Sequence, residues 1–224
     1  MGKDNQPKVR QAAQMARKAG RRASYDRILI VSEGSKTEPL YLNEIRVEFR
    51  LSTTNVQVQH SQYGTSPLQV VEYAEHLFVN GDETKSIQPR AFERVFVVFD
   101  RDDHLSYHNA LSRAAARDKK LHNDLNQAVR FEAIASVPCF ELWLLLHFEE
   151  VLAPLHRTEV YQRLRNFLPN YDKGLAGQYA ATKQYLAAAT ERAVLLAAHT
   201  TAHEGSDAYT DMHSLVTLLK SLKR

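Results

Sequence analysis

Two short apolar runs, each followed almost at once by acidic residues, constrain this chain more than any other feature of its sequence. The first run covers 28–31 and is followed by Glu33, and the second covers 95–99 and is followed by Asp100 and Asp102. Short runs of β-branched and aromatic residues are typical of buried parallel strands. Ligands of open parallel sheets bind just beyond the carboxyl ends of the strands. We therefore expect these three carboxylates to converge, although they are far apart in the sequence.

The spacing of apolar residues alternates between strand and helix along the first 138 residues. This order predicts an α/β fold in which a four-stranded parallel sheet is flanked by helices and joined by right-handed crossovers. Beyond Pro138 only helical spacing remains, so the C-terminal half is predicted to be helical. The predicted strands end at 31, 60, 99 and 137, and the predicted helices cover 38–50, 66–80, 109–129, 139–148, 159–167, 175–199 and 210–222.

Composition divides the chain into three predicted parts. Residues 1–24 form a basic, partly disordered leader, 25–138 form the α/β domain, and 139–224 form a helical extension packed on that domain. Arg21 and Arg22 belong to the leader. A basic arm of this kind either is solvated or holds phosphates by releasing counterions, and both interpretations stay open from the sequence.

Several classes of protein are not expected, because the sequence lacks their signatures. No apolar stretch among the 224 residues is long enough to cross a bilayer, so we expect a cytoplasmic protein with no membrane partner. Cys139 is the single cysteine, which excludes an internal disulfide framework and a thiolate zinc cluster. Glycine-rich Walker or G-x-G-x-x-G loops are absent. His199 and His203 have i, i+4 spacing but lack the glutamate of zinc hydrolases, so zinc hydrolysis is not expected.

The acidic residues indicate a divalent metal site. Converging carboxylates repel one another unless a cation lies between them, and hard oxygen ligands suit Mg²⁺ or Mn²⁺. Asp100 and Asp102 alone would also fit an acidic turn that caps the next helix. The conjunction with Glu33 favours the metal, because packing gives no reason to gather three carboxylates at one edge. Glu141 fits either a ligand or a helix N-terminal charge, and Lys36 either offsets charge on a phosphate or is solvated.

Three motifs resemble those of the RloB-like family in their residues and their order. They are ILIVSEGSKTEPLY at 28–41, FDRDDH at 99–104 and PCFELWLLLHF at 138–148. The resemblance runs from about Arg27 to the C-terminus and leaves out the basic leader. RloB-like proteins belong to the wider Toprim group, which is shared with topoisomerases, primases and OLD-type nucleases.

The resemblance implies a Mg²⁺ site built from a glutamate after the first strand and an Asp-x-Asp after the third. These positions correspond to Glu33, Asp100 and Asp102. OLD-type relatives use a second acid shortly after the first glutamate, which Glu38 matches less closely. Family members are found beside restriction-modification and abortive-infection genes, often with an ABC- or AAA-type ATPase. The resemblance therefore implies an anti-phage effector nuclease with nucleic acid, and an ATPase, as partners.

Taken together, these observations predict a Mg²⁺-dependent endonuclease that hydrolyses phosphodiester bonds of tRNA or DNA in abortive infection. The catalytic residues are predicted to be Glu33, Lys36, Asp100 and Asp102, the metal ligands Glu33, Glu38, Asp100, Asp102 and Glu141, and the nucleic-acid-binding residues Arg21, Arg22 and Arg101.

Two alternatives remain. The chain would also fit a regulatory or partner-binding subunit of an ATPase-containing defence complex, with a metal site that is silent in catalysis. Strand transfer of the topoisomerase kind normally needs a tyrosine nucleophile on another domain, for which the length leaves no room. The sequence leaves open the choice of tRNA or DNA, the number of metals and whether the chain forms a homo-oligomer.

Overall fold

The computed structural model of the protein describes residues 25–204 and 208–222. The predicted leader, with its two phosphate-contacting candidates Arg21 and Arg22, lies outside the described residues. Within the described part of the chain, no helix is both long enough and apolar enough to span a membrane.

Five strands form one mixed, mostly parallel sheet, which confirms the predicted α/β class. The strands are β1 (Ile28–Ser32), β2 (Val56–His60), β3 (Arg94–Asp100), β4 (Arg130–Val137) and β5 (Tyr209–Thr210), in the spatial order β2-β1-β3-β4-β5. The first four are parallel, as predicted, and β5 pairs with β4 in the antiparallel direction. The prediction of a purely four-stranded sheet was therefore wrong. Two residues are too few to produce a periodic strand pattern in the sequence.

Helices flank the sheet, and several of their predicted bounds shift. The α-helices are α1 (Thr37–Glu48), α2 (Pro67–Asn80), α3 (Tyr107–Arg117), α4 (Glu141–Leu146), α5 (Arg157–Phe167), α6 (Gln178–Thr182), α7 (Leu186–His199) and α8 (Met212–Ser221).

The two longest predicted helices, over 109–129 and 175–199, do not run without interruption in the structure. The prediction over 109–129 was too long, because α3 ends before Asp118 and the chain turns back, with the Val129 amide donating to the Leu121 carbonyl at 2.9 Å. The Asp118 carboxylate instead accepts from the Phe131 amide at 3.0 Å, which ties this turn to β4. The helix predicted over 175–199 is interrupted by a 3-10 turn at Lys183–Tyr185. Tertiary hydrogen bonds of this kind leave no trace in hydrophobic periodicity.

Alternate residues of each central strand pack into two separate hydrophobic cores. Ile28 and Ile30 of β1 face a core formed with α1, α4 and α8, whereas Leu29 and Val31 face a core formed with α2 and α3. A sheet covered on both faces explains why its strands read as continuous apolar runs. All six residues of α4 are buried, and Trp143 donates its indole N–H to the Tyr41 hydroxyl of α1 at 2.8 Å. This packing fixes the elements that carry the acidic residues.

Candidate active site

Glu33 lies at the point where β1 ends, and it links this strand to the end of β3. Its amide donates to the Val98 carbonyl at 2.9 Å, and its carboxylate accepts from the Asp100 amide at 3.2 Å. The His104 imidazole lies 3.5 Å from the other Glu33 oxygen. The predicted convergence of the β1 and β3 ends is thus visible as a direct contact.

Glu38 lies in the first turn of α1, and its side chain approaches the loop that follows β1. A Cβ atom added to Gly34 would lie only 2.4 Å from a Glu38 carboxylate oxygen. The missing side chain at Gly34 therefore leaves room for this carboxylate. Glu38 is buried, which is unusual for an ionisable side chain.

Asp100 is the last residue of β3, but Asp102 lies beyond the strand. Two aspartates separated by one residue would point the same way if both lay in a strand, because side chains alternate along it, but Asp102 lies outside β3 and this rule does not apply to it. Asp102 has φ +35°, so a turn of the chain sets its direction. One Asp102 oxygen lies 3.2 Å from the Arg157 guanidinium, and the other is buried without a hydrogen-bond partner.

Glu141 begins α4 directly after the loop that follows β4. It is almost fully buried, and one carboxylate oxygen accepts from the Tyr171 hydroxyl at 2.8 Å. The same oxygen lies 3.7 Å from the Lys173 ammonium group. Its second oxygen has no hydrogen-bond partner. An unpaired carboxylate oxygen in a buried position is costly unless a cation balances it.

All five acidic residues line one cavity of about 230 Å³, which we call the carboxylate cavity. Its acidic residues are Glu33, Glu38, Asp100, Asp102 and Glu141. The loop after β1 adds Lys36, and the loop between α5 and α6 adds Lys173. Every predicted metal ligand therefore lies at the carboxyl edge of the parallel strands.

Three carboxyl groups of this cavity, those of Glu33, Glu38 and Asp100, have raised pKa values. Burial raises the pKa of Glu33 to about 7, and the negative charges of Glu38 and Asp102 add to that effect. Burial, followed by the charge of Glu141, raises the pKa of Glu38. Burial and the charges of Glu38, Glu141 and Glu33 raise the pKa of Asp100 well above its usual range. Without a bound cation, the cavity therefore favours the protonated, neutral forms of these three carboxyl groups.

The five side chains share this cavity without meeting at a single point. Among residues 25–204 and 208–222, no three His, Cys, Asp or Glu side chains lie close enough together to count as a complete set of metal ligands. The donor chemistry nevertheless fits a hard divalent ion, because all the donors are carboxylate oxygens and those of Asp102 and Glu141 include unpaired ones. Holding such an ion would require these side chains to turn toward one another.

The cationic residues of the site differ from the predicted set. Lys36 is exposed at the edge of the cavity, which fits both the phosphate-binding and the solvated alternatives that the sequence left open. Lys173 lies closer to the carboxylates, and its positive charge lowers the pKa of Glu33 and of Glu38. Lys183 does not line the cavity, and its ammonium group pairs with the Glu48 carboxylate at the surface at 3.0 Å.

The remaining predicted residue, Arg101, does not line the carboxylate cavity. It lines an adjacent cavity, and its guanidinium carbon lies 6.0 Å from the centre of the Tyr107 ring. Sequence reasoning also missed Tyr171, which holds Glu141 from a loop in the C-terminal half. Only a long-range contact marks Tyr171, so no motif or periodicity could have found it.

These features define an α/β protein with a cavity lined by five carboxylates at the carboxyl edge of its sheet. The family model described as RloB-like protein matches residues 28–219, and the chain belongs to the RloB-like family. No curated protein and no solved structure was found to match the chain.

Proposed function

We propose that this protein is a Mg²⁺- or Mn²⁺-dependent nuclease of the Toprim kind that hydrolyses phosphodiester bonds in nucleic acid. The observation that carries the proposal is the gathering of five carboxylates from three separate chain segments around one cavity. A fold gains no stability from burying negative charges together, so a bound cation gives the arrangement a reason. A place in anti-phage defence, which the resemblance to the family implies, belongs to the same proposal, as does the cytoplasmic location expected from the sequence.

Each residue has a distinct role in this proposal. Glu33, Asp100 and Asp102 hold the ion, and Glu38 and Glu141 serve a second one. When bound, the ion supplies charge neutralisation at the attacked phosphate and at the leaving oxygen. Those five side chains provide oxygen ligands only, which is the set that Mg²⁺ and Mn²⁺ prefer.

The chain's own groups supply proton transfer and substrate positioning. Where Glu33 does not bind the ion directly, it accepts the proton of an attacking water. In the metal-free state burial raises its pKa to about 7, and a nearby cation lowers that pKa. Lys36, at the exposed edge of the cavity, offsets charge on the phosphate. Lys173, which lies 3.7 Å from Glu141, holds that carboxylate in place.

Incubation of the purified protein with Mg²⁺ or Mn²⁺ and with tRNA, plasmid or single-stranded DNA tests the proposal. Cleavage by the wild type, lost on chelation and in both Glu33→Gln and Asp100→Asn, is expected. Glu191→Gln, which removes an exposed carboxylate of α7 far from the proposed ligands in sequence, is the matched control. Cleavage that persists undiminished in both site variants would reject the assignment.

A second candidate function is a regulatory subunit of an ATPase-containing complex with a catalytically silent site. The observation that favours it is the absence of a complete three-residue ligand set among the described residues. Stable co-purification with an ATPase, together with no hydrolysis in any divalent metal, would support this alternative.

A further inference from the structure

A second cavity lies next to the carboxylate cavity and shares Asp102 with it. Its volume is about 460 Å³, about twice that of its neighbour. We call it the basic cavity, and its lining includes Arg101, His104, Leu105, His108, Leu155 and Arg157. The metal-site proposal uses none of these six side chains as a ligand.

We propose that the basic cavity binds an unpaired nucleotide of the substrate, next to the phosphodiester bond at the carboxylate cavity. This inference rests on the proposed function, because it concerns the substrate of the same site. Asp102 lines both cavities, so the two cavities share a wall. A strand with its phosphate beside Asp102 has its neighbouring nucleotide within reach of the basic cavity.

The polar lining suits a nucleic acid backbone. Arg101 and Arg157 supply guanidinium groups, which match phosphate oxygens in charge and geometry. Arg157 already contacts Asp102 at 3.2 Å, but one such contact does not saturate five N–H donors. The imidazoles of His104 and His108 add hydrogen-bonding groups with flat faces. Asp103 is exposed, and it is the one acidic lining residue here that is outside the proposed ligand set.

The apolar lining suits an unpaired base. Leu105 is 99% exposed, and Leu155, Val137 and Pro138 add further apolar surface to the same cavity. A duplex keeps its bases stacked inside and presents mainly phosphates, so none of its bases can enter a concave pocket with apolar walls. Single strands, in contrast, bind where cationic side chains track the backbone and flat or apolar surfaces receive the bases. The mixed lining therefore favours a single-stranded segment or a flipped-out nucleotide.

Fluorescence anisotropy with a short labelled single strand and with the matching duplex tests this inference. Ca²⁺ replaces Mg²⁺, so that binding is measured apart from cleavage. His108→Glu and Leu105→Glu place negative charge in the basic cavity at exposed positions, where folding is not at risk. His122→Glu is the matched control, because His122 is exposed in the turn between α3 and β4, near the opposite edge of the sheet.

We expect the wild type to bind the single strand more tightly than the duplex. Each cavity variant should weaken single-strand binding about five- to tenfold, whereas His122→Glu should not change it. Unchanged binding by both cavity variants, tighter binding of the duplex, or no binding by the wild type would overturn the inference. Cleavage by variants that bind normally would leave the nuclease proposal standing. If the cavity variants bind the single strand more weakly but the wild type cleaves no substrate in Mg²⁺, the nuclease proposal is rejected and the assignment of the basic cavity stands.

Discussion

Replacing Glu33 by glutamine should stabilise the metal-free protein, and the gain should grow with pH. The pKa of Glu33 is raised from about 4.5 to about 7 in the folded state, mainly by burial. The folded state thus holds the proton more tightly than the unfolded chain. This carboxyl favours folding below about pH 4.5 and loses that contribution as pH rises through about 7.

The size of the effect follows from the same shift. The rise in the pKa of Glu33, from about 4.5 in the unfolded chain to about 7 in the folded protein, lowers the free energy of unfolding by about 3 kcal/mol at about pH 8, where the carboxyl group is ionised in both states. At pH 5 the corresponding penalty is only about 1 kcal/mol, because the folded state is still protonated. Glutamine removes the charge and keeps an oxygen that can accept the Asp100 amide hydrogen bond, so packing changes little.

Urea unfolding in the presence of a chelator, at pH 5 and at pH 8, measures the difference. Glu33→Gln should exceed the wild type by up to about 3 kcal/mol at pH 8 and by clearly less at pH 5. Glu191→Gln reports the effect of losing one exposed carboxylate. Added Mg²⁺ should raise the stability of the wild type at pH 8 more than that of Glu33→Gln. A Glu33→Gln variant that is less stable than the wild type at pH 8 would refute the reasoning.

Three further substitutions test the ion pairs and the hydrogen bond that hold the sheet and its helices together. Arg27→Gln should lower the free energy of unfolding by about 3 kcal/mol, because Arg27 is buried against Glu93. Arg94→Gln breaks a half-exposed ion pair and should lower it by less than about 1 kcal/mol. Equal losses for the two variants in urea unfolding would contradict this. Tyr41→Phe should cost about 1–3 kcal/mol in the same assay, because it leaves the buried Trp143 indole N–H without its acceptor, and an unchanged unfolding midpoint would argue against that hydrogen bond.

The central strands β1 and β3 could be predicted from the sequence because both of their faces are buried. Ile28 and Ile30 face one core and Leu29 and Val31 the other, so the run is apolar throughout and its boundaries are clear. β5 could not be predicted, since its two residues depend on pairing with β4 for their conformation. The end of α3 was missed for a similar reason, because the following turn is set by hydrogen bonds to β4.

The carboxylate cavity was only partly predictable. Strand ends identified Glu33 and Asp100, because topology brings such positions to one edge. The direction of Asp102 depends on a turn with φ +35°, and strand alternation gave the wrong reason for it. Tyr171 and Lys173 reach Glu141 from the loop between α5 and α6, and nothing in their local sequence marks that contact.

Diffraction from crystals soaked in Mn²⁺ tests the central claim most directly. The account predicts anomalous density inside the carboxylate cavity, with oxygens of Glu33, Asp100 and Asp102 turned inward to coordinate the ion, and loss of that density in Asp100→Asn. Crystals of the wild type in which the cavity takes up no Mn²⁺, or in which the ion binds without any of these three residues, would contradict the account.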